Sequence, residues 1–371
     1  MDPAVFASLT QWVLWSGFAL AFLFGAIAQA THFCTMGAIS DVVNMGDWSR
    51  ARQWMLAMGV AMIGFALLSL SGQIRPTDAL YITPRFSWLS TGVGGLLFGL
   101  GMVLSSGCGN KTLIRVGTGN LKAWVVFVVM GVSAFATLRG LTAVLRNSTV
   151  DQVFVIMEPN ASLGHWLSVA LGLDPTQGAA WVGLALGLML SLWVLRHKDF
   201  WTATNLWAGL GCGGIVAAMW WLTGHVGFVE EHPQTLEQVY VATNSGRMES
   251  LSFVAPMAYV LDWLMFFSDK SKVLTLGVMI ALGVIAGSFV SSLFTRSFRW
   301  EGFGGVDDLG LHLLGAVLMG VGGVTALGCT IGQGLSGVST LAFNAFMALA
   351  FIVVGALLGF KYQIWRLERQ V

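Results

Sequence analysis

Four cysteines, Cys34, Cys108, Cys212 and Cys329, are the residues of this sequence whose types and settings point to chemistry. Three of them sit among glycines and other small residues: "SSGCGNKT" at 105–112, "GLGCGGIV" at 209–216 and "ALGCTIGQ" at 326–333. A thiol is soft, polarizable and a weak hydrogen-bond donor, so it suits a ligand that carries an exposed sulfur of its own. Flanking glycines such as Gly107, Gly109 and Gly328 remove bulk and free backbone N–H groups, which lets an anion touch sulfur and peptide amides together. The neutral thiol, not the thiolate, is the form that meets an anion without repulsion. Lys111, three residues past Cys108, either adds positive charge to such a site or extends to the membrane interface. The cysteines lack C-x-x-C spacing and the six histidines are scattered, so neither a zinc or haem site nor any other cofactor is read here.

The elements that hold these thiols must be membrane helices. The chain is 56% hydrophobic and 10% charged, with a mean hydropathy of +0.76, against roughly 25% charge in ordinary soluble domains. Apolar stretches long enough to cross about 30 Å of hydrocarbon recur at 9–28, 53–72, 88–106, 122–142, 179–196, 252–268, 273–294, 308–327 and 338–360, with a broken pair inside 201–224. The fold class is therefore an all-α polytopic membrane protein of about nine transmembrane helices plus short re-entrant half-helices. The short alternating segments of a β-barrel do not appear. The opening "MDPAVFASLTQ" has no basic n-region, so no signal peptide is read and the first helix starts outside. Arg50, Arg52, Lys111, Arg115, Lys122, Arg196 and Lys198 then fall inside. A full crossing by 201–224 would put Lys361, Arg366 and Arg369 outside; a re-entrant one keeps them inside and is the expectation. The net charge of +1 says nothing about nucleic acid, no basic tail or stripe suggests such a partner, and the lipid bilayer is the setting.

An internal repeat organises the chain. Laying Cys108 on Cys329, 221 residues apart, also superimposes Gly94 on Gly315, Gly99 on Gly320, Gly101 on Gly322 and Gly107 on Gly328. The expected units are a first membrane half at 1–150 with Cys34 and Cys108, a polar connection at 151–178, and a second half at 179–371 with Cys212 and Cys329. Within the connection, His165 to Leu173 reads as an interfacial amphipathic segment. Gly101, Ser105 and Cys108 stand at i, i+4 and i+7, one helical stripe, as do Gly322, Ala326 and Cys329. Small stripes serve close helix packing in membranes. The polar, glycine-rich runs after each cysteine call for a half-helix that turns back and offers its N-terminal N–H groups to an anion.

The motifs "HFCTMGAISDVVNMGDW" around Cys34, "GLGMVLSSGCGNKTLIRVGTGNLKAW" around Cys108 and "ALGCTIGQGLSGVSTLAF" around Cys329 resemble the YeeE/YedE sulfur-transport family of bacterial inner-membrane proteins. The resemblance runs over nearly the whole chain. It implies thiosulfate carried inward through an hourglass-shaped bundle, passed between thiols at a constriction, and often received by a small cytosolic sulfur-acceptor protein of the TusA type. It implies a binding role for Cys108 and Cys329 first and for Cys34 and Cys212 with them; Cys34 follows Phe33 where the others follow glycine. Selenium species or other sulfur anions are alternative substrates for such proteins.

Other signals carry less. "GNKT" lacks the Gly-Lys of a phosphate loop. Asp307, Asp308 and His312 fit a solvated helix start better than a proton relay, and His32 fits a buried core histidine. Three functions stay open: a transporter of thiosulfate or a similar anion, which is not an enzyme; a membrane sulfurtransferase or redox protein forming persulfides; and a scaffold whose cysteines are inert filler.

Overall fold

A computed structural model describes residues 2–269 and 271–369. Nine helices among them are long and apolar enough to cross a membrane. The first half runs α1 (Pro3–Ala30), α2 (Thr35–Met45), α3 (Ser49–Leu70), α4 (Trp88–Leu104), α5 (Gly109–Gly117) and α6 (Leu121–Arg139). After short α7 (Leu141–Ser148) and α8 (Leu163–Ala170) comes α9 (Pro175–Leu195), which packs on α3. The second half runs α10 (Ala203–Val226), α11 (Val254–Met265), α12 (Leu276–Phe294), α13 (Val306–Thr325), the short α14 (330–339) and α15 (Phe343–Glu368). Two two-residue strand pairs, Arg85–Phe86 with Val155–Ile156 and Phe228–Val229 with Val239–Tyr240, tie extramembrane loops.

Local chemistry sets several of these boundaries. Asp2 accepts from the Ala4 N–H at 2.8 Å with Pro3 at the first helical position, and Asn120 caps α6 through the Ala123 N–H at 2.9 Å. Inside the helices, hydroxyls such as Ser133 and Thr137 bond back to carbonyls one turn earlier, which satisfies them without water. The amphipathic segment expected at 165–173 is α8, whose Leu163 and Leu167 pack on the core.

One face carries Arg50, Arg52, Lys122, Arg299 and Arg366. There Asn120 pairs with Glu301, Lys122 bridges Asp308 at 2.8 Å and Arg366 reaches Asp307 at 3.4 Å. The positive-inside rule makes this face cytoplasmic, and the end of α15 lies on it. The region 201–224 does not form the expected re-entrant pair. It is one helix, α10, with π turns at Trp207–Gly211 and Leu222–Val226. Its glycines serve close approach, not a break: a side chain at Gly213 would meet the Ala57 carbonyl at 2.5 Å, and one at Gly209 the Leu56 side chain at 2.5 Å. The segment read as a span at 252–268 is instead the 12-residue α11, about 18 Å long and too short to cross.

Helices α4 and α13 cross at the centre by a reciprocal glycine contact. A Cβ on Gly101 would lie 2.6 Å from the Gly315 carbonyl oxygen, and one on Gly315 the same distance from that of Gly101. A Cβ on Gly94 would meet the Gly322 oxygen at 2.7 Å, and one on Gly322 the Gly94 oxygen at 2.6 Å. Early residues of one helix thus meet late residues of the other, so the two run antiparallel. The 221-residue offset pairs these same positions, making the crossing self-complementary. Adding 221 to the bounds of α2 gives 256–266, against Val254–Met265 for α11; for α5 it gives 330–338, against 330–339 for α14.

Candidate functional site

Cys34, Cys108 and Cys329 occupy one local motif. Each follows a long helix whose end is closed by paired backbone bonds, and two residues before each thiol a non-glycine residue takes positive φ: His32 at 55°, Ser106 at 57° and Leu327 at 58°. The next amide reaches back five residues, from Phe33 to Ala28, Gly107 to Met102 and Gly328 to Gly323. Left-handed backbone is costly for residues with a Cβ and is found where surrounding structure enforces it. Each cysteine is then the N-cap of a short helix. In two of them the sulfur turns toward that helix's first amides: Cys34 accepts from the Gly37 N–H at 3.4 Å and Cys329 from the Gly332 N–H at 3.4 Å, while Cys108 makes no such bond. In both cases sulfur takes the place of the oxygen that usually caps a helix.

Gly107 and Gly328 leave the left-handed backbone to the residues before them, Ser106 and Leu327. A Cβ on Gly107 would press on Lys111 Cγ at 2.9 Å and one on Gly328 on Gln333 Cγ at 3.1 Å, so they admit the first turn of the following helix. Gly109 has room, with Val254 Cγ2 at 3.6 Å.

The thiols converge. All are free and buried. The Cys34 and Cys108 thiols interact with each other, and Cys108 also faces the Thr330 hydroxyl, one residue past Cys329. Phe33 stacks on Trp54 with ring centroids 4.9 Å apart, and Asn110 Nδ2 donates to the Phe33 carbonyl at 3.4 Å. Lys111 and Arg115 lie close enough to act electrostatically on Cys34. Lys111 therefore contributes positive potential near a thiol. Asp41, buried, holds Arg50 by two bonds of 2.5 and 2.7 Å, fixing α2 against α3. The short α11 brings its N-terminus to the same place: Val254 touches both Gly109 and Gly323, and Ser252 lies against Gly332.

Cys212 is elsewhere. It is buried inside α10 with regular helical backbone and caps no helix. The 221-residue offset carries Cys34 to Ala255, near the start of α11, and not to Cys212.

Cavities approach from both sides. On the face opposite Arg50, a cavity of about 200 Å³ is lined by Tyr81, Arg146, Glu249, Ser252, Tyr259 and Gly328, and so reaches the Cys329 turn. Burial pushes the Glu249 carboxyl above the usual range, against the opposing pull of the Ser245 N–H at 2.7 Å. On the basic face a space of about 10 Å³, enough for one water, lies among Ser105, Gly107, Thr112, Arg115, Lys122 and His312. Asp308, expected at a solvated helix start, is held by Lys122 there, and the His312 ring bonds to the Asp308 carbonyl at 2.7 Å. Among the described residues no group of His, Cys, Asp and Glu has the arrangement of a metal site.

A family profile described as sulphur transport matches residues 30–358. The chain is 27% identical over 349 residues to the thiosulfate transporter TsuA of Escherichia coli, covering 92% of each chain. To the protein of the same name from Spirochaeta thermophila it is 27% identical over 355 residues, 92% of this chain and 97% of that one. A probable transporter YedE of Escherichia coli is 28% identical over a shorter stretch of 106 residues.

Proposed function

Because this chain belongs to the sulphur-transport family, a group of membrane transporters, we propose that its cargo is thiosulfate or a closely similar sulfur oxyanion, carried inward past Cys329, Cys108 and Cys34 in that order. The chain is a multi-pass inner-membrane protein. The observation that carries the reading is the convergence of three thiols, each at the N-terminus of a short helix, between a larger outer cavity and a water-sized inner one.

Helix N-termini supply partial positive charge and unpaired N–H groups in place of the water an oxyanion leaves behind. The thiols face the polarizable terminal sulfur. No single contact is strong, which passage requires: a site that bound the anion tightly would hold it. Lys111 and Arg115 add attraction on the cytoplasmic side, where a TusA-type sulfur-acceptor protein would receive the cargo. Cys212 has no place in this relay.

Uptake of sulfur-labelled thiosulfate into proteoliposomes tests the proposal. Cys108→Ser and Cys329→Ser should each reduce uptake about tenfold or more while the protein still folds, since serine keeps the shape but not the soft sulfur. Full uptake by both variants would refute the relay. A persulfide trapped on Cys108 and detected by mass spectrometry would replace it with a covalent sulfur transfer.

A further inference from the structure

Within two residues of each of the three capping thiols lies a buried polar atom without a nitrogen or oxygen partner: Thr35 Oγ1, Asn110 Oδ1 and Thr330 Oγ1. Thr330 and Asn110 are 0% exposed and Thr35 is 5% exposed. An unmet buried polar group costs roughly 1–3 kcal/mol, so folded proteins keep few of them, and two hydroxyls able to donate at one junction need a reason. Hydroxyls nearby are satisfied in the ordinary way. Thr112 bonds to the Cys108 carbonyl at 3.1 Å, Ser339 to that of Ser336 at 2.7 Å and Thr340 to that of Gly337 at 2.7 Å. Thr330 is the first residue of α14, so that helix offers it no carbonyl one turn earlier. Its hydroxyl turns toward the Cys108 sulfur instead. Asn110 spends one amide hydrogen on the Phe33 carbonyl, beside Cys34, and keeps the other.

We propose that the Thr35 and Thr330 hydroxyls and the Asn110 carboxamide are the oxygen-binding half of the site, holding the sulfonate end of the anion while the thiols face its terminal sulfur. The inference rests on the thiosulfate reading above and gives it a basis for selectivity. Sulfate and sulfite would satisfy the three oxygen-seeking groups but offer nothing to the thiols. Hydrosulfide would do the reverse. Only an anion with both ends uses both halves: its oxygens accept from the two unmet threonine hydroxyls and from the second Nδ2 hydrogen of Asn110.

The test is thiosulfate uptake by the full chain in proteoliposomes carrying Thr330→Val or Thr35→Val, which keep side-chain shape and remove the hydroxyl, with Thr330→Ser as the rescue. KM should rise about tenfold or more in each valine variant, with a smaller change in maximal rate, and return to within about threefold of wild type in Thr330→Ser. The melting temperature without thiosulfate should hold or rise, because the deleted hydroxyl had no nitrogen or oxygen partner; a merely structural hydroxyl would lower it. Thermal stabilisation by added thiosulfate should shrink. KM within about twofold of wild type in both valine variants, while Cys108→Ser still loses uptake, overturns this inference and leaves the relay standing. So does a valine variant that misfolds and that serine does not repair. Normal uptake in Cys108→Ser and Cys329→Ser removes the relay itself.

Discussion

The reciprocal crossing of α4 and α13 allows a quantitative test. In Gly101→Ala the new methyl would stand 2.6 Å from the Gly315 carbonyl oxygen and 2.9 Å from the Met319 nitrogen. Ordinary Cβ contacts begin near 3.4 Å. The obstacles are backbone atoms, which cannot rotate aside, so the helices must part by about 0.8 Å. A gap of that size forfeits a quarter to a half of the dispersion attraction along the crossing, and overpacking of this kind costs about 1–3 kcal/mol. Gly315→Ala makes the same demand from the other side, at 2.6 Å from the Gly101 oxygen and 2.8 Å from the Ser105 nitrogen. Once the helices have parted, the second methyl meets less resistance. The double variant should therefore be more stable than the sum of the singles by about 1 kcal/mol. Ser105 opens the turn that leads to Cys108, so the displacement reaches a thiol, and uptake should fall by on the order of tenfold to a hundredfold. Thermal melting in detergent and uptake in proteoliposomes measure the two effects. Single variants that melt and transport like wild type, or strictly additive losses in the double, would show that the helices do not meet by these glycines.

Three further outcomes are expected. Glu249 lines the outer cavity with its carboxyl pushed up by burial, among Tyr81, Tyr259 and Arg146; uptake of an anion should fall as pH climbs through that raised pKa and the carboxylate gains charge, and Glu249→Gln should flatten the pH profile. The linked stability has the same sense, present where the glutamate of the unfolded chain is still protonated and lost as pH rises through the folded-state value, so the melting temperature should also fall over that interval. Arg50→Met leaves the buried Asp41 carboxylate without its partner, and because Arg50 is itself 35% exposed the cost should be about 1–3 kcal/mol, seen as a lower melting temperature that Asp41→Asn partly restores. Cys212→Ala should keep KM within about twofold of wild type and lose only about 1 kcal/mol of packing; loss of uptake in a folded protein would return Cys212 to the pathway.

Much of the architecture was legible because hydropathy alone places apolar helices, and most span boundaries differ from the expected ones by only a few residues. The error lay where glycine has two meanings. In α10 it reads as a break, while in three dimensions Gly209 and Gly213 let neighbouring helices come close. The span read at 252–268 failed for the converse reason: its composition is apolar throughout, yet a half-helix buried in protein needs the same apolar composition as a shorter crossing. Cys108 and Cys329 could be paired from sequence since both repeats keep the cysteine and its glycines. Cys34 could not be placed by that route, because the matching position is Ala255 and the thiol there is gone. The polar atoms beside the thiols were invisible for a different reason. Threonine after cysteine is unremarkable in a sequence, and only the course of the surrounding backbone shows which hydroxyls find a partner.

The antiparallel glycine crossing sets both ends of the molecule on equal terms. At this crossing α4 and α13 present the same glycines to each other in opposite directions, so the contact itself favours neither sense of flow. Any asymmetry must reside in what was not duplicated: Tyr81 and Glu249 at one mouth, Arg50, Lys111 and Arg115 near the other. Exchanging those unmatched residues, with the helices left as they are, is the change that would reverse the polarity of the route.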